Sequence, residues 1–535
     1  MLHSTPQLDR RAFLSRLAGA DSRMSAQPLS IEAGLEPSDA VLDERMAAHL
    51  LRRTGFGAAP DRVSELVGLQ ASAAAAAIVD DAYSLALPDP PFWADMAPPN
   101  GDPNTPEFQT YITDNNQWLV DYRYDWFERM YYYGLRERLT LFWHDHFVTS
   151  TGAYFLAPFA YRYLTLLRTH ALGNFKDLVY EVGIDPAMLL YLNGTQNEIG
   201  TANENYAREL LELFTMGQVD AQGIPNYTES DIQEIARALT GWKVNFFSLQ
   251  SSFFAFYHDG DPKTFMQRTG SWAYADVVDI IFEERAQAIA EFICAKLYSE
   301  FVYAVPDPVI VAGLAEILVQ SDFELKPVVE TLLQSAHFFD NAVAGAKIKS
   351  PAELVTGMLI ESHAPLPSGV FSIAGRLSFF LEQVVLNPPN VAGWPGHHAW
   401  VSTTTLPIRW LTPDFLLTNG TGTDLMDMIP LASLLVDPGD PHAAFRLPVA
   451  LARHVLAVPI DELDFPLIDG DFAGDLVTYP IPDEFLNGPP YVLDLAKVFL
   501  GGLPWHDWNL YEAGANIKIY LYLRFLFQLP DYQLI

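Results

Sequence analysis

The stretch LFWHDHFVTS, residues 141–150, sets two histidines around an aspartate inside a run of large apolar side chains. Imidazole nitrogens ligate transition metals or move protons near neutral pH, and a neighbouring carboxylate can orient an imidazole through its second nitrogen. The spacing imposes a condition. Two positions apart on a continuous helix, His144 and His146 are turned ~200° from each other, so both can face one metal only if the helix unwinds near His146. Val148, Thr149, Ser150 and Thr151 favour an extended exit there. The competing reading is a pair of histidines satisfied by backbone carbonyls.

A second stretch, NENYARELLELFTMG (203–217), separates a buried stripe of Tyr206, Leu210, Leu213 and Phe214 from a polar arc of Glu204, Asn205, Arg208, Glu209 and Glu212. Facing His144 and His146, Glu204 and Glu209 would complete a mixed nitrogen and oxygen metal site, with Arg208 steadying a carboxylate. Facing solvent, the same residues are four-apart ion pairs worth ~0.3–0.5 kcal/mol each. In FYHDGDPKTF (256–265), His258, Asp259, Asp261 and Lys263 gather at a turn, a setting that suits a metal or a general base but also collects Asp and Gly for conformational reasons.

The metal-ligand candidates are therefore His144, His146, Glu204, Glu209 and His258, and the catalytic candidates Asp145, Arg208, Asp259 and Lys263. Histidine-rich ligation suits copper, iron or zinc, with carboxylates weakening the case for copper. Oxidative chemistry ranks ahead of hydrolytic, since no hydrolase nucleophile or carboxylate pair of known spacing is visible. No P-loop, G-x-S-x-G elbow, H-E-x-x-H or dinucleotide fingerprint occurs. The alternative is a non-catalytic scaffold whose polar motifs form an internal hydrogen-bonded network. A polysaccharide-binding module lacks a regular aromatic ladder.

The elements that must position these residues are helical. ERMAAHLLRRTGF, NQWLVDYRYDWFERMYY and YARELLELFTMG repeat apolar residues at three and four, and so do AQAIAEFICAKLYSEFV and GRLSFFLEQV. YTESDIQEIARALTGW opens on Thr228 and Asp231 in capping-box spacing and closes at Gly241. Residues 87–108 are a Pro-rich loop, and the aromatic, Ser-rich run between Asn245 and Trp272 reads as a hairpin or irregular arm. In NPPNVAGWPGHHAW, Trp394 reads as a plug onto the core, while His397 and His398 stay open. The fold class is mainly α: a leader at 1–40, a helical core over 41–418, an irregular insertion or small subdomain at 419–495, and a C-terminal helical segment at 496–535.

Half of the 535 residues are apolar and 13% aromatic, which excludes disorder in spite of a formal charge of −34. With 66 acidic against 32 basic residues and no basic stripe, nucleic acid is excluded as a partner. Cys294 is the single cysteine, so any metal must be held by His, Asp or Glu. No apolar run is long enough to span a membrane. Arg10-Arg11 followed by Phe13-Leu14 is similar to a twin-arginine export signal, though Arg16 and Asp21 interrupt its apolar region.

Taken in order, HLLRRTGFGA, RLTLFWHDHFVTS, NENYARELLELFTMG, YTESDIQEIARALTGW, HDGDPKTF, KIKSPAELV and NPPNVAGWPG resemble the bacterial "domain of unknown function 1800" family. The resemblance implies a mainly helical fold, frequent export and a sulfatase-like partner protein. It carries no assigned reaction. Its polar positions fall on His144, His146, Asn203, Glu204, Asn205, Arg208, Glu209, His258, Asp259 and Lys263. This chain departs from the family at His397-His398, where a glycine is usual, and after KTF, where MQRTG replaces a Leu-Gly.

Overall fold

The apolar three-and-four periodicity becomes helices that bury their stripes against one another. The computed structural model describes residues 29–220, 222–463 and 471–535; the Arg10-Arg11 motif lies outside the described residues. In chain order the helices that matter for the site begin with α1 (Glu44–Thr54), α2 (Ala71–Ser84), α3 (Pro106–Tyr132) and α4 (Gly134–His146). There follow α5 (Ala157–Thr169), α6 (Phe175–Ile184), α7 (Asn205–Glu209), which runs into a π turn over Leu210–Thr215, and α8 (Glu229–Ala238). After the strands come α9 (Ala286–Phe301), α10 (Pro308–Gln320), α11 (Leu325–Gln334), α12 (Pro351–Ser362) and α13 (Val370–Phe380). The chain closes with α14 (Thr405–Leu416), α15 (Ala443–Val455), α16 (Pro490–Leu500) and α17 (Ala515–Gln528).

The fold is mainly α, as the periodicity predicts. Among the described residues, strand is confined to two antiparallel hairpins: β1 (Trp242–Asn245) with β2 (Gln250–Phe253), and β3 (Lys263–Phe265) with β4 (Arg268–Gly270). They occupy the arm expected there from its aromatic and turn residues. Helix starts follow local chemistry. Thr228 and Asp231 form the expected capping box of α8, and Ser350 with Glu353 forms another on α12. Pro106 at the first position of α3, behind the Thr105 cap, ends the irregular loop that precedes it.

α4 runs through the centre. A surface helix would be amphipathic, but α4 buries Leu135, Leu139 and Trp143 on one side and Arg136, Glu137 and Arg138 on others. Each charge is matched. Arg136 donates to the carbonyls of Ala82 (2.8 Å), Tyr83 (3.0 Å) and Leu85 (3.2 Å), satisfying the end of α2. Glu137 accepts from Arg168 of α5 at 2.6 and 2.8 Å and from the Trp126 indole at 2.9 Å. Arg138 donates to the carbonyl of Gly55 at 2.7 Å, beyond the end of α1.

α10 packs on α9, and α11 on α2; α13 lies along α3. The stretch 419–495 contributes α15, which packs on α16 and touches α1. His454 of α15 donates from Nε2 to the Glu361 carbonyl (2.9 Å), while Arg52 of α1 donates to the His454 carbonyl (2.5 Å). No helix among the described residues is long and apolar enough to cross a membrane.

Candidate functional site

α4 continues through both histidines and stops one residue later, at Phe147, whose ψ of 72° leaves the helical region. The helical turn between His144 and His146 is therefore kept, and the two imidazoles face different elements. His144 is buried with Nε2 accepting from the Leu386 N–H (3.1 Å). Its proton therefore sits on Nδ1, and burial holds its pKa down to about 3. His146 donates from Nε2 to the Phe214 carbonyl in the π turn (2.9 Å), which leaves Nδ1 as the lone-pair nitrogen, with no hydrogen-bond partner among the described residues. Burial, and then the Lys296 charge, keep it neutral.

The other sequence candidates settle elsewhere. Glu204 pairs with Arg208 at 3.2 Å, and Arg208 with Glu229 at 2.5 Å, near the surface. Glu209 is partly buried; burial and the neighbouring Glu212 raise its carboxyl above the usual range. His258 is anchored at Nδ1 by the Thr240 carbonyl, 3.0 Å away. Asp259 accepts from Arg237 at 2.8 and 3.3 Å and from the Asp261 N–H at 3.0 Å. Lys263, almost fully buried, donates to the carbonyls of Asp259 and Asp261. This turn is a closed clamp that ties the β3 arm to α8. Among the described residues no group of three or more His, Cys, Asp or Glu side chains is placed to hold a metal ion, so the five metal-ligand candidates do not converge.

Asp145, between the two histidines, takes a third direction. Its Oδ1 accepts from the Trp394 N–H at 2.7 Å. The approach is possible because residue 393 is glycine: φ is +84°, and a Cβ there would stand 2.3 Å from Asp145 Oδ1. Trp394 meets the His144 ring edge-on at 5.8 Å, so the expected plug is seated against α4. Burial pushes the Asp145 carboxyl up to about 7, against the pull of the Trp394 N–H and Lys296.

Asp145, His146 and Trp394 line a cavity of about 410 Å³ between α4, α9, the start of α12 and the 392–400 loop. Its floor is an interlocked set of charges. Arg138 places Nε 2.8 Å from Glu300 and Nη2 2.6 Å from Glu353. Lys347 donates to the Glu300 backbone carbonyl and lies 3.6 Å from its carboxylate. Burial brings Lys347 down to about 8. For Glu353, burial acts upward but Arg138 and Lys347 outweigh it, so the carboxyl stays ionised. Phe56, Phe142 and Trp400 supply apolar wall.

Lys296 of α9 is the exception on this lining. Its Nζ sits 5.0 Å from the Phe292 ring centre, and among the described residues no carboxylate or carbonyl engages it by ion pair or hydrogen bond. Burial lowers its pKa, with Asp145 acting the other way.

Of the residues that line this cavity, Asp145 and His146 were candidates from the sequence, and Lys296, Glu300, Lys347, Glu353 and Arg138 were not. One signal was present: Lys296 and Glu300 stand four apart in the largely apolar AQAIAEFICAKLYSEF.

A family model described as "Protein of unknown function (DUF1800)" matches residues 49–470. The match spans α4, the clamp, the cavity and α15. No curated protein and no solved structure matches the chain.

Proposed function

We propose, from the premise that this chain belongs to the DUF1800 family of proteins of unknown function, that it is an enzyme acting on a small molecule bound in the cavity beside the end of α4. The observation that carries the reading is a juxtaposition. One cavity is lined by Asp145, whose carboxyl has a single protein hydrogen bond, by Lys296, whose ammonium lies outside any ion pair, and by His146, whose buried Nδ1 has no hydrogen-bond partner among the described residues. Other buried charges, Arg168 with Glu137 and Arg52 with Glu361, are paired. Unspent polar groups around a space of this size are what a ligand would complete.

In this reading Asp145 exchanges a proton with the ligand. A carboxyl whose pKa lies near neutrality serves as donor or acceptor at physiological pH. His146, kept neutral by burial, accepts a hydrogen bond at Nδ1 and orients the ligand. The Phe214 carbonyl fixes that tautomer from behind. Trp394 and Trp400 exclude water. A metal held jointly by His144, His146, Glu204, Glu209 and His258 does not fit the separate environments of those residues, and no step is routed through one. The closed clamp at Asp259 and Lys263 favours a structural role for that motif, which is the scaffold reading applied to one region only.

Metabolite profiling tests the enzyme reading. Wild type and Asp145→Asn are each incubated with a small-molecule extract. Depletion of a compound by wild type alone is expected, and identical profiles from two folded proteins would sink the proton-transfer role. Export on the Arg10-Arg11 leader belongs to the same proposal and is checked by fusing residues 1–40 to a secreted reporter. Docking of a sulfatase-like partner is checked by co-purification.

A further inference from the structure

The charged side chains that line the cavity balance when Asp145 is ionised, and a positive excess comes from the arginine behind them. Arg138, Lys296 and Lys347 line it with Asp145, Glu300 and Glu353. Behind the floor lies fully buried Arg53, close enough to act electrostatically on Lys347 and Arg138, with its Nε and Nη1 unpartnered. Even with Asp145 ionised, one positive charge is in excess. The next charges outward do not reverse the sign, because Arg52 and Lys349 share the one carboxylate of Glu361, and Arg409 bonds only to neutral oxygens. In a protein of formal charge −34 this is a local inversion.

The unspent groups have the same character. Lys296 offers an ammonium, and Trp394, 7% exposed, carries an indole Nε1–H with no acceptor among the described residues. Both residues line the same cavity. Arg138 and Lys347 differ from Lys296 in being ion-paired already, Arg138 with Glu300 and Glu353 and Lys347 with Glu300.

We propose that the ligand of this cavity is a small organic molecule bearing one negatively charged oxyanion, of which a carboxylate is the simplest, and that Lys296 is its counter-ion with the Trp394 indole as a second donor. The proposal rests on the reading of the cavity as a ligand site and adds the charge of what enters it. A half-buried ammonium whose one neighbour is an aromatic ring has lost part of its hydration, and an anion beside it supplies the ion pair it lacks. The aromatic walls accommodate the apolar part of such a ligand, and the volume lies within the range of small-molecule sites, ~300–1,000 Å³.

Three probes of one shape and different charge test it: phenylacetate, 2-phenylethanol and 2-phenylethylamine, titrated calorimetrically into the full chain at low ionic strength. Phenylacetate is expected to bind at least about tenfold more tightly than either of the others. Lys296→Met is expected to weaken the acid by about tenfold or more, Lys296→Arg to stay within about threefold of wild type, and Trp394→Phe to lose a few-fold. Equal binding of the alcohol or the amine, unchanged acid binding in Lys296→Met, or no acid binding into the tens of millimolar overturns the proposal. The two readings fail separately. If Lys296→Met binds the acid like wild type while Asp145→Asn still loses turnover, the anion falls and the proton-transfer role stands. If no probe binds and Asp145→Asn is indistinguishable from wild type, both fall.

Discussion

Two of the chain's three His-Asp dipeptides lie in the motifs singled out above, His144-Asp145 before a second histidine and His258-Asp259 before Gly-Asp-Pro-Lys. The dipeptides look alike and end in opposite states. Asp259 is gripped by Arg237 and by the Asp261 N–H, and that hydrogen bonding holds its carboxyl below the usual range. Asp145 has one backbone N–H and no cation in contact, and burial lifts its carboxyl to about 7. Lysines differ in the same way. Lys263 spends its ammonium on two carbonyls of its own turn, whereas Lys296 spends it on nothing closer than the Phe292 ring. A polar motif that closes on itself makes structure, and one that stays open around a cavity is available for chemistry.

Four substitutions break or sharpen that contrast. Lys263→Met should have the largest effect, about 2–4 kcal/mol lost in urea unfolding, because the carbonyls of Asp259 and Asp261 are left buried without their donor. It should leave Asp145 unchanged; an Asp145 titration that moves with it would mean the two regions are coupled.

Asp145→Asn should act with the opposite sign. Its folded pKa lies above the unfolded value, so the native state holds the proton more tightly and stability is lost as pH rises from about 4 through about 7. Asparagine keeps the acceptor for Trp394 and removes the charge. The variant should therefore be more stable than wild type by about 1–3 kcal/mol at pH 8 and no more stable at pH 4. A pH-independent difference would contradict the raised carboxyl.

Asp259→Asn should cost about 1 kcal/mol at neutral pH by loosening Arg237. Because the Asp259 pKa is depressed, that cost is present above pH ~4 and disappears as pH falls through the folded value. Lys296→Met should change stability least, within about 1 kcal/mol, since no ion pair or hydrogen bond is lost and only the contact with the Phe292 ring goes. It should nonetheless raise the Asp145 pKa further by removing a nearby positive charge, which infrared difference spectroscopy of the carboxyl stretch would read. An unmoved Asp145 would place the two groups out of electrostatic reach.

How much was legible in advance follows the range over which each feature acts. Helix positions in α1, α3, α4 and α8 come from apolar spacing and caps within four residues. The hairpin arm comes from its aromatic run and turn residues. The family's polar positions include His144 and His146 of α4, whereas Asp145 was read from its place between them, as the carboxylate that orients an imidazole. His144 and His146 are kept apart by one residue of helix, and His258 is held elsewhere by the Thr240 carbonyl. The exit lies after His146 and not between the histidines, so the ~200° separation survives.

The sequence by itself therefore determined the helical class, the helix starts and the polar motifs, because each depends on neighbours within a turn. Only the tertiary structure decided which motif is closed and which is open. Arg237 reaches Asp259 from α8, and Gly393 lets a distant loop touch Asp145. Lys296 enters the same cavity from α9 with no carboxylate to meet it. Those outcomes depend on which helices pack together, and no spacing within a motif records that.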